Sequence, residues 1–115
     1  IVARIDPALV RRALINVVEN GITYGSWVVV TLRAIDSTSA TITVSDDGPG
    51  MSESDRENAF APFWRGDAAR RRDETTGFGL GLSIARSIVE RHGGTIDLAP
   101  NAPRGLSVAM SLPVR

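Results

Sequence analysis

The sequence predicts an α/β sandwich, a mixed sheet of about five strands with about three helices packed on one face, in a single domain spanning residues 1–115. Two observations lead there. Two long stretches repeat their apolar residues at helical spacing, and several β-branched stretches lie around them without strict strand and helix alternation. Composition agrees, since 115 residues with 43% hydrophobic and 23% charged content suffice for one enclosed core and fall outside the disordered and membrane classes.

In chain order, residues 1–5 read as the tail of a strand. Asp6 and Pro7 then start a helix, because an aspartate caps free amides and a proline at the first helical position gives up no hydrogen bond. Leu9, Val10, Ala13, Leu14, Val17 and Val18 recur on one face and Gly25 stops the run, which places a helix over 7–24. Residues 27–32 and 41–44 form a hairpin across the polar turn 36–39. The second strand runs into Ser45, Asp46, Asp47, Gly48, Pro49 and Gly50, where glycine and proline end regular pairing and hold polar groups at a sheet edge. Ser52 with Asp55 caps a short helix reaching about Phe60. Residues 61–76 are polar, arginine-rich and aperiodic, the pattern of a mobile loop. Gly77, Phe78, Gly79, Leu80, Gly81 and Leu82 feed a helix whose Leu82, Ala85, Ile88 and Val89 face inward and which ends at Gly93 and Gly94. Strands near 95–99 and 106–112 close the sheet.

Several function classes drop out on composition. Thirteen basic and thirteen acidic residues cancel, and the longest basic run, Arg70 to Arg72, is followed at once by Asp73 and Glu74, so no stripe is available to follow a nucleic-acid backbone. Without cysteine there is neither a disulfide nor a thiolate metal site. No apolar run approaches the roughly 20 residues of a bilayer span, and no signal-peptide anatomy is present; both point to a cytoplasmic setting without direct membrane contact. The chain also contains no lysine, which excludes a phosphate loop ending in Gly-Lys-Ser/Thr.

Three sets of residues carry chemistry. Asn16 and Asn20 stand one turn apart on one face of an apolar helix, and a buried carboxamide costs about 1–3 kcal/mol without a partner. Their oxygens suit magnesium, a hard cation, while a pair of satisfied helix amides is an equal reading. Asp46 with Gly48 and Gly50 can accept a hydrogen bond from an exocyclic amine while the glycines let a flat base approach; Asp-Gly-Pro-Gly is also a good turn. Gly77, Gly79 and Gly81 run into a helix N-terminus, where bare amides favour anions. A dinucleotide fold needs a strand before such glycines, and 71–76 is not one; a flexible hinge is the other reading.

In this order the three sets resemble the histidine kinase branch of the gyrase, heat-shock chaperone, kinase and mismatch-repair ATPase superfamily, over nearly the whole chain. Leu14-Ile15-Asn16-Val17-Val18-Glu19-Asn20 with Tyr24 is similar to its N box, Asp46-Asp47-Gly48-Pro49-Gly50 to its G1 box, Phe60-Ala61-Pro62-Phe63-Trp64-Arg65-Gly66-Asp67 to its F box, and Gly77-Phe78-Gly79-Leu80-Gly81-Leu82 to its G2 box. The Thr23-Tyr24-Gly25 end of the first box and Gly105-Leu106-Ser107-Val108 further resemble the osmosensor type.

The resemblance implies a Bergerat-type ATP-binding fold that uses ATP and magnesium. It implies that Asn20 holds the metal, with Asn16 near the metal or phosphates, and that Asp46 reads the adenine amine beside Gly48 and Gly50. Tyr24 would pack by adenine and ribose. Gly77, Gly79, Leu80, Gly81 and Leu82 would line the phosphates, while Phe60 and Phe63 would anchor a lid over roughly 51–78. Arg65 is its candidate cation near the γ-phosphate, with a solvated loop arginine as the other reading. Asn20 and Arg65 are thus the expected catalytic residues. His92 does not resemble the acceptor motif and reads as a helix-terminus residue.

The implied activity is transfer of the γ-phosphoryl group to a histidine on a separate dimerisation and phosphoacceptor domain, with a response regulator downstream. The parent would be anchored in the inner membrane, and this domain alone would be monomeric. A serine kinase of the same superfamily acting on an anti-sigma antagonist, and a transfer-inactive nucleotide-binding module, are the alternatives. Three departures bear on them. Thr23 stands where many relatives have a basic residue, Gly21 replaces the usual alanine and loosens the helix, and Asn16 stands where hydrolysing relatives have a glutamate general base.

Overall fold

The computed structural model describes residues 1–61 and 81–114. Helix α1 runs over Pro7–Tyr24, with Asp6 Oδ1 accepting from the amides of Ala8 at 3.1 Å and Leu9 at 3.2 Å. Gly25 ends it, its amide bonded to the Gly21 carbonyl at 2.8 Å. Strands β1 (Val28–Ala34) and β2 (Ser39–Asp46) form a hairpin. Asp36 closes its turn by accepting from the Thr38 hydroxyl and amide, both at 2.7 Å, and these two bonds hold its carboxyl below the usual range. Ser52 caps α2 (Glu53–Asn58) through the Asp55 amide at 3.0 Å. Helix α3 (Gly81–Arg91), β3 (Thr95–Pro100) and β4 (Leu106–Pro113) complete the described elements.

The strands lie in the order β1-β2-β4-β3. Alternate residues of the two inner strands face the helices: Ala40 and Val44 on β2, and Leu106, Val108, Met110 and Leu112 on β4, are all buried. They meet Ala13 and Val17 of α1 and Leu82, Ala85, Ile88 and Val89 of α3 in one core. The alternation leaves small hydroxyl residues on the opposite face, where Thr41 pairs with Ser111 at 3.0 Å and Ser45 with Ser107 at 2.8 Å across β2 and β4. Both helices therefore sit on one side of the sheet, as the sandwich requires.

Three details differ from the sequence expectation. Residues 1–5 form no strand, and Ile1 and Val2 stay exposed, because β-branched composition makes a strand only where an edge accepts it. Four strands are therefore found among the described residues, and every pairing is antiparallel rather than mixed. Two hairpins, β1–β2 and β3–β4, set their own antiparallel pairing, and the β2–β4 junction extends it across the sheet. The stretch read as a mobile loop lies, beyond Ala61, outside the described residues.

Two polar contacts fix the ends of α1. His92, just past α3, bonds the Ile88 carbonyl through Nδ1 at 2.8 Å and accepts the Asp6 amide at Nε2 at 3.0 Å, so both ring nitrogens are engaged in joining the two helices. At the other end, Asp47 Oδ1 accepts from the amides of Ser26 at 2.6 Å and Trp27 at 3.0 Å. The Trp27 bond above all, then the Ser26 amide and the charge of Arg104, hold this carboxyl below the usual range against an opposing desolvation.

Two outcomes are expected. Met110 is 2% exposed at the centre of the core, so Met110→Ala should cost about 2–5 kcal/mol of unfolding free energy by urea titration. A depressed carboxyl contributes stability that is present above its unfolded value of about 3.9 and is lost as pH falls through the folded value. Asp47→Asn should therefore melt below the parent at neutral pH, and the gap should close as the pH is lowered below about 4.

Candidate functional site

Asp46 closes β2 and is 5% exposed. Its Oδ1 accepts from the amides of Gly48 at 2.8 Å and Leu106 at 3.3 Å. Its Oδ2 points towards α1, 3.6 Å from where a Cβ on Gly21 would stand, and no described residue donates a hydrogen bond to it. The expectation of a polar group at a sheet edge is corrected here: β2 is an inner strand, and the carboxylate is buried at its end. A buried oxygen without a donor marks a place where a ligand's donor fits, because leaving it unpaired costs about 1–3 kcal/mol.

The surroundings of Asp46 are made by close backbone approach. A Cβ on Gly48 would lie 2.7 Å from the Tyr24 carbonyl, so the turn after β2 packs directly on the end of α1. A Cβ on Gly105, whose φ is +112°, would run into the Asp46 carbonyl. Gly21 is buried, and a Cβ there would come within 2.8 Å of a Val28 methyl. The glycine expected to loosen the helix therefore lets α1 close onto β1 and β2. Gly50, at φ +73°, faces the Gly105 carbonyl across the same loop pair.

The remaining sequence candidates lie on α1, at the start of α3 and just past α2. Asn16 and Asn20 are half-buried on α1, and neither side-chain amide hydrogen-bonds to a described residue. The start of α3 packs against them, with a Gly81 Cβ 3.8 Å from the Asn16 carbonyl. Leu82 buries its side chain in the core at 6% exposure, so its contribution to a ligand would come from the backbone amide of the first helical turn. Tyr24 is half-buried at the end of α1. Phe60 packs against the core, with the Arg86 guanidinium carbon 5.2 Å from its ring centroid. Phe63, Arg65, Gly77, Gly79 and Leu80 lie outside the described residues. Thr23 donates its hydroxyl to the Glu19 carbonyl at 2.8 Å.

The donor chemistry fits a magnesium ion that arrives on a polyphosphate. No group of three or more histidine, cysteine or acidic residues among the described residues forms a metal cluster, whereas two neutral carboxamide residues stand one turn apart on α1. Such neutral ligands suit a hard cation whose charge is balanced by its own phosphate oxygens. Sequence reading missed the opposite wall: Asn101 donates to the Asp46 carbonyl at 2.9 Å and Arg104 to the Gly48 carbonyl at 3.0 Å. An Asn-Ala-Pro-Arg-Gly loop looks like any polar turn between strands, and only the register of β4 on β2 brings it to Asp46.

Comparison with known proteins follows the same lines. The model of the family "Histidine kinase-, DNA gyrase B-, and HSP90-like ATPase" matches residues 5–115. Sensor histidine kinase CpxA of Escherichia coli K12 is 39% identical over 109 residues, covering 95% of this chain and 24% of that protein, so the chain spans about a quarter of that relative's length. Among solved structures, the mycobacterial sensor histidine kinase MprB superposes with a TM-score of 0.86 at 33% identity, covering 98% of this chain and 77% of that one. The histidine kinase domain of the E. coli osmosensor EnvZ gives 0.69 at 38% identity, covering 98% and 68%. No helix among the described residues is long and apolar enough to cross a membrane. The sandwich, the four ordered boxes and these matches agree: the chain belongs to the histidine kinase-, DNA gyrase B- and HSP90-like ATPase family, and corresponds within it to the ATPase domain of two-component sensor histidine kinases.

Proposed function

We propose that this chain, acting as a single catalytic domain, binds MgATP and presents its γ-phosphoryl group to a histidine on a separate dimerisation and phosphoacceptor domain of the same sensor kinase. The observation that carries the reading is the free Oδ2 of a 5% exposed aspartate, beside the two half-buried asparagines of α1 and the start of α3. Asp46 would accept from the exocyclic amine of adenine while Gly48 and Gly50 admit the ring, and Tyr24 would flank adenine and ribose. Asn20, with Asn16 beside it, would hold magnesium, which supplies charge neutralisation along the phosphates. The amides of Gly81 and Leu82 would meet phosphate oxygens at the positive end of α3. Phe63, Arg65, Gly77, Gly79 and Leu80 keep the roles the family resemblance gives them: lid anchor, lid cation and phosphate cradle.

Catalysis is then positioning and electrostatics. The domain holds the nucleotide, excludes water from it and leaves attack to the incoming histidine nitrogen. Asn16 offers no general base for water, which favours transfer over hydrolysis, and Glu19 is exposed on α1. The downstream acceptor would be a response regulator, and the domain would work in the cytoplasm below an inner-membrane anchor carried elsewhere in the parent.

Transfer is tested by mixing the chain with labelled ATP, magnesium and a separately made acceptor-helix domain. Acid-labile, base-stable label on that domain is expected. Acid-stable ester label would point to a serine kinase, and absence of label despite tight nucleotide binding would point to a regulatory module. Asp46→Asn keeps an oxygen for the Gly48 and Leu106 amides but turns a donor towards adenine. Calorimetry should show ATP affinity reduced by about tenfold to a hundredfold, the equivalent of roughly 1–3 kcal/mol. Asn20→Asp should change the magnesium dependence of binding, and an unchanged metal titration would remove Asn20 from the metal site.

A further inference from the structure

The loop between β3 and β4 grips the turn after β2 at points on either side of Asp47. Asn101 Nδ2 donates to the Asp46 carbonyl at 2.9 Å, and Arg104 Nε donates to the Gly48 carbonyl at 3.0 Å. The loop is itself closed by the Asn101 amide on the Gly105 carbonyl at 3.0 Å. Immediately after it, the Leu106 amide reaches Asp46 Oδ1 at 3.3 Å. Arg104 also places its charge by Asp47, helping to hold that carboxyl in its ionised form.

These contacts bear on one torsion. An aspartate carboxyl turns about a broad χ2 and its two oxygens are equivalent, so burial alone does not fix the plane of the group or the direction its second oxygen takes. Here Oδ1 is committed to the Gly48 and Leu106 amides, and the positions of both donors depend on the main chain that Asn101 and Arg104 hold. Oδ2 is thereby left on the side of Gly21, 3.6 Å from where a Cβ on that residue would stand. Neither Asn101 nor Arg104 needs to touch a ligand for this.

We infer that Asn101 and Arg104 are positioning residues for base selection: from the β3–β4 loop they hold the turn 46–50 so that Asp46 Oδ2 meets the exocyclic amine of an adenine nucleotide. The inference rests on the reading that Asp46 reads that amine. It separates two kinds of ligand, because an inosine nucleotide carries a carbonyl oxygen where adenine carries the amine and so presents Oδ2 with an acceptor at that position, its remaining donor, N1–H, being one ring atom away.

The test is calorimetric titration of the chain with MgATP and with MgITP, for the parent, Arg104→Ala, Arg104→Lys and Asn101→Ala, with thermal melts run alongside. The parent should prefer ATP by about tenfold or more. Arg104→Ala and Asn101→Ala should each weaken ATP by about fivefold to tenfold while leaving ITP within about twofold, so that the preference collapses, and Arg104→Lys should restore part of it. Arg104 is exposed at the surface, so its variants remain informative if Asn101→Ala fails to fold. Equal weakening of both nucleotides, or an unchanged preference in folded Arg104→Ala, would overturn the positioning role. A parent that binds ATP and ITP equally would instead overturn the assignment of Asp46, and the inference with it.

Discussion

The buried carboxylate of Asp46 is the constraint on which the rest of the site depends. Burial of a polar group is tolerated only when its hydrogen-bonding capacity is met. Two backbone amides, from Gly48 and Leu106, meet one oxygen. The second oxygen accepts from no described residue. Bringing two amides to one oxygen at the end of an inner strand forces three segments of backbone into contact, and Gly21, Gly48 and Gly105 stand where a side chain would block that approach. Glycines scattered along the sequence are thus neighbours in space around one atom group.

The sandwich delivers those segments. Helix α1 packs its Ala13 and Val17 face on the sheet, which brings its last turn to the end of β2. The same helix carries Asn16 and Asn20 towards the start of α3, while His92 couples its N-terminal cap to the far end of that helix. Asp47 ties the turn after α1 to the turn after β2. The segments around Asp46 are therefore held by contacts made away from its carboxylate, the condition for a preorganised arrangement.

Much of this was legible in the sequence, and for identifiable reasons. Helix α1 was readable to its ends because Asp6, Pro7 and Gly25 are local signals acting on adjacent backbone. The hairpin and the short α2 were readable through Asp36 and Ser52 in the same way. Family membership was readable because the boxes keep their order. Three things were not legible. Residues 1–5 have strand composition but pair with no described strand, and pairing is a tertiary fact. The burial of Asp46 depends on β4 lying beside β2, sixty residues away in the chain at the Leu106 contact. Asn101 and Arg104 act through backbone carbonyls of another loop, and nothing in their own neighbourhood announces it.

The central claim is that α1, the end of β2 and the start of α3 enclose one adenine-nucleotide site built without an ammonium group. Its most direct measurement is an amide NMR titration of the folded, isotope-labelled chain with ATP and magnesium. Saturable shifts should gather at Asn20, Gly21, Tyr24, Gly48 and Gly81 and leave the strand amides around Thr43 and Ala109 unmoved. Absence of saturable shifts, or shifts clustered away from Asp46, would contradict the account.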